Sequence, residues 1–363
     1  MRARSLTVVS GLLLFLTSCG APPPPAIPPF TPPPPPPPAG PQSGPTAPGA
    51  PAATPAALSP ADAEMAAKVE IKPEKVAGNV WVLYGAGGNI GVSIGEDGIL
   101  VVDDQFAPLA PKIMAALRGI TDKPIRVVLN THWHGDHTGG NAFFGRNAAI
   151  VAHDNVRKRL VEGRPAVKQG NETLDAVPPA PRDALPIVTF ADKVSVHLNG
   201  EEIRAIHQPA AHTDGDSVIF FTRSNVVHMG DDFVTYGFPF VDTASGGTVK
   251  GIIAAMDKVI TEIKPDTKVI PGHGKVSTVE DVRKLSATLK DCMAIVGAEV
   301  RKKKSLDQIK AAKPLAKYDD LGKGFIKADD MVEAIYNELT GAKPKAAAPA
   351  AAKPLQAVRR QAR

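Results

Sequence analysis

Residues 79–84 ("NVWVLY"), 89–94 and 98–102 are short apolar runs divided by glycine turns, and they predict three strands. The third, "GILVVDD", is a buried-strand run that ends in two aspartates. Apolar residues recur at helical spacing over 111–120. Residues 125–130 ("IRVVLN") and 148–152 read as further strands, and Asp154 is placed to cap a helix that runs to 161. Residues 163–186 are polar, proline-rich and irregular, and a loop of that length inside a domain is usually functional or disordered. Strands are expected again at 187–190, 194–198, 203–207, 217–222, 226–229 and 267–270, and helices at 248–263, 279 to about 304 and 329–339. Strands and helices alternate in two similar halves, which fits two sheets packed face to face with helices outside.

The ends break this pattern. Arg2 and Arg4 precede an apolar run over 6–16 that is the length of a signal segment and too short to span a bilayer. The next residues, "LTSCG" (16–20), resemble the lipobox of bacterial lipoproteins, which implies that Cys19 is lipidated and becomes the anchor. Gly20, where an aspartate would mark inner-membrane retention, implies the periplasmic face of the outer membrane. A plain cleaved secretory signal with an incidental cysteine is the alternative. Residues 20–60, rich in proline and alanine, cannot bury enough apolar surface to fold and are expected to form an extended tether. The alanine-, lysine- and proline-rich tail over 342–363 is expected to be disordered as well, leaving 61–341 as the catalytic domain with C-terminal helices.

These ends also distort the charge. The formal net charge is +5, but two arginines precede residue 61 and six lysines or arginines follow residue 340, with no acid in either segment. The remainder holds 34 basic and 37 acidic residues, a net of −3. A nucleic-acid enzyme carries a basic footprint on its folded part, so a nucleic-acid partner is not expected. With Cys19 committed to an anchor, Cys292 has no partner for an internal disulfide. No feature of the sequence sets an oligomeric state.

The candidate chemistry starts at "THWHGDHTGG" (131–140), in the loop after a strand. His132 and His134 can converge on one ion, while Asp136 and His137 turn toward a second. Imidazole suits zinc, and carboxylate suits zinc, iron or manganese. His212 in "PAAHTDGD", Asp231 in "HMGDD" and His273 in "PGHG" occupy the same kind of place, in loops past strand ends. His197, His207 and His228 fall in or beside strands and read as packing; His153, beside a helix start, reads as a local cap.

"HWHGDH" is similar to the HxHxDH motif of the metallo-β-lactamase superfamily, and the other candidates match its remaining motifs in order, from Asp103 to His273. The resemblance covers about residues 75–275. It implies an α/β fold, the αββα four-layer sandwich, with metals at one edge of the sheets. By the same resemblance His132, His134 and His212 hold one ion, Asp136, His137 and His273 the second, and Asp231 bridges both. Asp103 would lie behind the ligands and orient them. Two Zn2+ are implied, with iron or manganese as other occupants, and a bridging hydroxide would attack a carbonyl carbon with Asp136 as the catalytic proton acceptor.

An aspartate at 231 resembles the thioesterase and lactonase type rather than the zinc β-lactamases. The expected activity is therefore hydrolysis of a small-molecule ester, thioester, lactone or amide. β-Lactam hydrolysis is one alternative, although "GAGG" (85–88) lacks an aromatic tip for a flap. A diiron oxidoreductase and a non-catalytic metal-binding envelope protein are the others. Tyr236 or Phe238, in "FVTYGFPF", could meet a substrate or merely pack.

Overall fold

The computed structural model describes residues 59–169 and 172–342. The expected signal segment with Cys19, nearly all of the expected tether and the tail from 343 lie outside the described residues.

Seven strands form the first sheet: β1 (Lys72–Ala77), β2 (Val80–Tyr84), β3 (Ile90–Gly95), β4 (Gly98–Val102), β5 (Ile125–Leu129), β6 (Ala149–His153) and, after an intervening hairpin of β7 (Val167–Gln169) and β8 (Glu172–Leu174), β9 (Val188–Phe190). The meander β1 to β4 is antiparallel, and β4, β5, β6 and β9 then run parallel. The second sheet holds β10 (Lys193–Leu198), β11 (Glu201–Gln208), β12 (Asp216–Phe221), β13 (Val226–His228), β14 (Lys268–Ile270) and β15 (Ser277–Thr278) in sequence order. All its pairs are antiparallel except β13 with β14.

The period-two alternation of strands decides which side chains meet. Val80, Val82, Leu100, Val102 and Leu129 of the first sheet interlock with Ile203, Ala205, Ile219, Phe221 and Ile270 of the second. Their neighbours point outward. Val92, Val101 and Val128 meet Ile113 and Leu117 of helix α1 (Ala110–Arg118). Burying each such side chain stabilises the fold by about 1.5–3 kcal/mol. On the far side Val218, Phe220, Val227 and Val269 pack on helices α2 (Val249–Glu262), α3 (Val279–Arg301) and α4 (Ala328–Thr340). The layers are therefore helix, sheet, sheet, helix, as the sequence pattern implies.

Local details differ from the expectations. A helix over Pro60–Lys68, capped by Ser59, precedes the meander, and β1 adds a strand of mixed, largely exposed residues that periodicity does not mark. A helix over Leu306–Ala311 with a Ser305–Gln308 capping box was likewise not expected. The 163–186 loop contains the short β7–β8 hairpin. The helix Asp154–Glu162 is capped by His153, as its place beside the helix start suggested, and not by Asp154: the His153 Nδ1 accepts from the Asn155 amide at 3.2 Å. Among the described residues no helix is long and apolar enough to cross a membrane.

Candidate metal centre

Each candidate side chain leaves a strand end on the same edge of the two sheets. β5 ends at Leu129 and feeds the loop of His132 and His134. A four-residue helix, Gly135–Thr138, follows, with Asp136 and His137 in its first turn. The loop is pinned beneath by a reciprocal amide pair, Asn130 to Asn141 at 3.1 and 3.0 Å. Asp231 follows β13, and His273 follows β14, which runs parallel beside it. His212 lies in the connection between β11 and β12.

The fold brings all seven side chains together. His134 Nδ1 lies 3.1 Å from His132 Nε2 and 2.9 Å from His212 Nε2. His273 Nε2 lies 3.4 Å from His137 Nε2 and 3.3 Å from Asp136 Oδ2. Asp231 sits between the two trios: Oδ1 is 3.3 Å from His137 Nε2, and Oδ2 is 3.4 Å from His273 Nε2 and 3.7 Å from His212 Nε2.

This donor set fits cations. Three ring nitrogens that face one another cannot all be satisfied by shared protons, whereas one ion can accept a lone pair from each. Asp136 Oδ2 and Asp231 Oδ1 are buried without a hydrogen-bond partner, an expensive state for carboxylate oxygens unless a cation compensates it. Nitrogen and oxygen donors of this kind bind zinc, iron or manganese.

The electrostatics divide the trios. Burial and the neighbouring rings push His132 well below the ordinary imidazole value, and burial takes His212 down to about 4. Both rings are thus neutral at physiological pH, with lone pairs to offer. Burial also opposes charge on His137 and His273, but Asp231 and Asp136 outweigh it; His137 is held well above its usual value and His273 at about 9. Burial disfavours the charged carboxylates too, yet the rings of His137 and His273 hold Asp136 down at about 2 and Asp231 well below the carboxylate range. Loading a cation on this side therefore releases protons.

Partners behind these side chains fix their orientation. Asp103 Oδ1 accepts from the Thr131 amide, and Oδ2 from the Thr131 hydroxyl and from His137 Nδ1, each at 2.7 Å. Its backbone takes φ 62, a left-handed conformation unusual for a residue with a Cβ. The Asp104 carboxylate accepts from the Gly140 amide at 2.8 Å, and the Asp104 amide donates to the His137 carbonyl at 2.9 Å. His212 Nδ1 donates to the Phe240 carbonyl at 2.8 Å. His132 Nδ1 lies 3.0 Å from the Thr131 hydroxyl.

The sequence reading missed Asp242. Its Oδ2 receives His134 Nε2 at 2.8 Å, the Ser245 hydroxyl at 2.6 Å and Arg164 Nη1 at 3.3 Å. It also missed Asp232, whose Oδ1 accepts from the His212 amide at 3.2 Å and whose carboxyl is pushed by burial up to about 7. "DTAS" (242–245) reads only as a turn with a capping aspartate, and nothing in its spacing points at His134. For Asp232, the doubled acid of "GDD" (230–232) was the available signal.

None of the four remaining histidines joins a trio. His197 is exposed, His228 Nε2 lies 2.9 Å from the Asn89 carbonyl, and His153 stacks on His207 at 3.6 Å. The glycines of "GAGG" are explained by contact rather than by a flap: a Cβ on Gly88 would lie 2.2 Å from His137 Cε1. Phe238 is fully buried and packs, whereas Tyr236 is half-buried with its ring 5.7 Å from that of His273. A cavity of about 910 Å³ opens beside His273, with Gly87, Asn89 and Tyr236 among its walls.

Comparison with known proteins fits this arrangement. The 2,4-dinitroanisole O-demethylase subunit alpha of Nocardioides sp. (strain JS1661) is 26% identical over 165 residues, 45% of this chain and 46% of that protein. The atrochrysone carboxyl ACP thioesterase of Aspergillus chevalieri is 23% identical over 245 residues, 68% of this chain and 66% of that one. The chain spans less than half the length of the curated relatives it matches first. Among solved structures, a double mutant of the sec-alkyl sulfatase PisA1 superposes with a TM-score of 0.56 at 15% identity, over 78% of this chain and 52% of the sulfatase, a likeness of fold. The sequence pattern described as the metallo-beta-lactamase superfamily matches residues 77–285, more than half of the chain. Matching pattern, layered sheets and the convergence of histidines and aspartates at their edge lead to one conclusion: the protein belongs to the metallo-beta-lactamase superfamily.

Proposed function

We propose that the protein is a dinuclear-metal hydrolase acting on a small ester, thioester, lactone or amide, with zinc as the resident metal. The observation that carries this reading is Asp231, a single carboxylate within 3.3–3.7 Å of ring nitrogens from both trios. A carboxylate so placed suits two neighbouring cations better than one. His132, His134 and His212 would hold the first cation, and Asp136, His137 and His273 the second. When bound, such a pair supplies a water of lowered pKa and polarises a carbonyl oxygen.

The rest of the reaction belongs to the chain's own groups. Asp136, ionised at neutral pH, orients the attacking water and takes its proton on a carboxylate oxygen. Asp103 and Asp242 keep the His137 and His134 rings turned with one nitrogen toward the centre. The cavity beside His273 receives the substrate, with the Tyr236 ring as one wall. No serine or cysteine nucleophile is required. A relative named as a thioesterase supports hydrolytic chemistry of this general kind.

Elemental analysis of the purified full chain, followed by turnover of lactones, thioesters, esters and β-lactams by the same sample, tests the proposal. Two equivalents of metal and metal-dependent hydrolysis are expected, with Asp136→Asn abolishing turnover. Full metal loading without hydrolysis of any substrate would instead favour a non-catalytic metal-binding protein. An iron-loaded sample with a visible absorption band would favour the oxidoreductase. The address is part of the same proposal, resting on the N-terminal pattern: a lipoprotein anchored through Cys19, so that Cys19→Ala releases the protein from the membrane fraction.

A further inference from the structure

The cavity beside His273 has a charge that the metal centre does not explain. Four lysines line it, Lys72, Lys275, Lys323 and Lys327, against one carboxylate, Glu74. Lys72 pairs with Glu70 at 3.3 Å and Lys323 with Asp320 at 2.5 Å. Among the described residues no carboxylate lies within ion-pair distance of Lys275 or Lys327; the Lys327 ammonium donates to the Gly324 carbonyl at 2.7 Å. The described domain has an acidic balance, so this rim runs against its average.

The rim is also assembled from parts outside the family's matched span of 77–285. Lys72 lies in β1, before it. Lys323 and Lys327 lie in the C-terminal segment, which the fold clamps onto the site: the Phe238 amide donates to the Leu321 carbonyl at 3.1 Å, and Phe238 and Ile326 form a β-bridge. Gly237, at φ 142, lets the two backbones approach; a Cβ there would lie 2.3 Å from the Leu321 oxygen. Only Lys275, two residues after His273, comes from the matched span. The additions that close the cavity therefore supply most of its positive charge.

We propose that this cavity selects substrates that carry an anionic group away from the bond to be cut, gripped by Lys275 and Lys327 at the mouth while the reacting carbonyl lies at the His273 end. The inference rests on the hydrolase reading for the chemistry, but the anion site itself does not depend on turnover. Carboxylate, sulfate and phosphate share the chemistry that such ammonium groups recognise. Lysine, as a flexible point charge, discriminates poorly among them.

The test compares two esters of one leaving group on the zinc-loaded full chain: neutral 4-nitrophenyl butyrate and mono-4-nitrophenyl glutarate. The ratio of kcat/KM, anionic over neutral, should exceed about tenfold, the size of one hydrogen bond to a charged group, and should fall as salt rises. Lys275→Ala/Lys327→Ala should bring the ratio near one, and Lys275→Glu/Lys327→Glu should invert it. A merely structural role would lower both rates together and leave the ratio intact, which would overturn the proposal. Calorimetry with glutarate, methyl sulfate and methyl phosphate separates the sources of the anion and is independent of catalysis. Binding that is lost in the charge-reversed variant, in a protein that hydrolyses neither ester, would uphold the anion site and sink the hydrolase reading. Equal binding by wild type and variant, or none by either, would sink the anion site.

Discussion

Asp103→Asn tests whether the carboxylate behind His137 sets the metal-binding form of that ring. The two oxygens of Asp103 serve the Thr131 amide, the Thr131 hydroxyl and His137 Nδ1, all at 2.7 Å. Asparagine keeps the shape and keeps an oxygen for the Thr131 amide. Its NH2 then faces the Thr131 hydroxyl, which can accept, and His137 Nδ1, which has been donating. To accept instead, the imidazole must give up the proton on Nδ1 and keep one on Nε2, the atom 3.3 Å from Asp231 and 3.4 Å from His273. That is the nitrogen whose lone pair a cation needs. Changes behind a metal ligand cost about 10–100-fold in affinity, or about 1.4–2.7 kcal/mol. Loss of the charge-assisted bond lowers folding stability by about 1.5–3 kcal/mol. The assay is competition for zinc between the metal-stripped full chain and a chromophoric chelator, with the thermal midpoint read in parallel. One of two equivalents should weaken by that factor while the other holds. An unchanged isotherm with a lower midpoint would reduce Asp103 to scaffolding, and equal weakening of both equivalents would refute the tautomer argument.

Three further outcomes follow from other parts of the structure. Gly88→Ala places a Cβ against the rigid His137 ring, so one metal equivalent should be lost on elemental analysis; retention of wild-type stoichiometry would show that the hairpin gives way instead. His153 and His207 stack at 3.6 Å, and burial drives both below their usual value, with the His207 ring adding to the effect on His153. Their folded values lie under the unfolded value of about 6.5, so the unfolded state binds more protons, stability is complete above that pH and is lost as pH falls below it. The thermal midpoint should therefore drop between pH 7 and 5, and less steeply in His207→Gln; identical slopes would refute the assignment. Cys292 is buried on α3, and burial pushes its thiol up to about 12. Peptide mapping after iodoacetamide at pH 8 should find it unmodified in the native protein and modified in guanidinium; native labelling would contradict the packing.

The sandwich was readable because its signals are local. Strand and helix periodicities, with glycine turns between them, need no knowledge of distant residues, and they place β2 to β6, β9 to β14 and the helices α1 to α4. The errors fall where local pattern is weak. The exposed residues of β1 alternate with nothing, the six-residue helix Leu306–Ala311 is shorter than a convincing amphipathic repeat, and the β7–β8 hairpin is too brief to show a period. Of the two caps the sequence offered for Asp154–Glu162, His153 serves, because its ring nitrogen reaches the Asn155 amide.

By itself, the sequence named the seven side chains that the fold gathers at one sheet edge, through their residue types, their places in loops after strand ends and their likeness to the family's motifs. What only the tertiary structure decided is the surroundings of those side chains. Asp242 reaches His134 from 108 positions away, and the C-terminal Lys327 reaches the rim of the His273 cavity. Such contacts arise from how layers stack, and chain spacing carries no trace of them. The physical reason is one of range: backbone preference and apolar periodicity act over a few residues, whereas the field and shape of a site are summed over every element that packs against it.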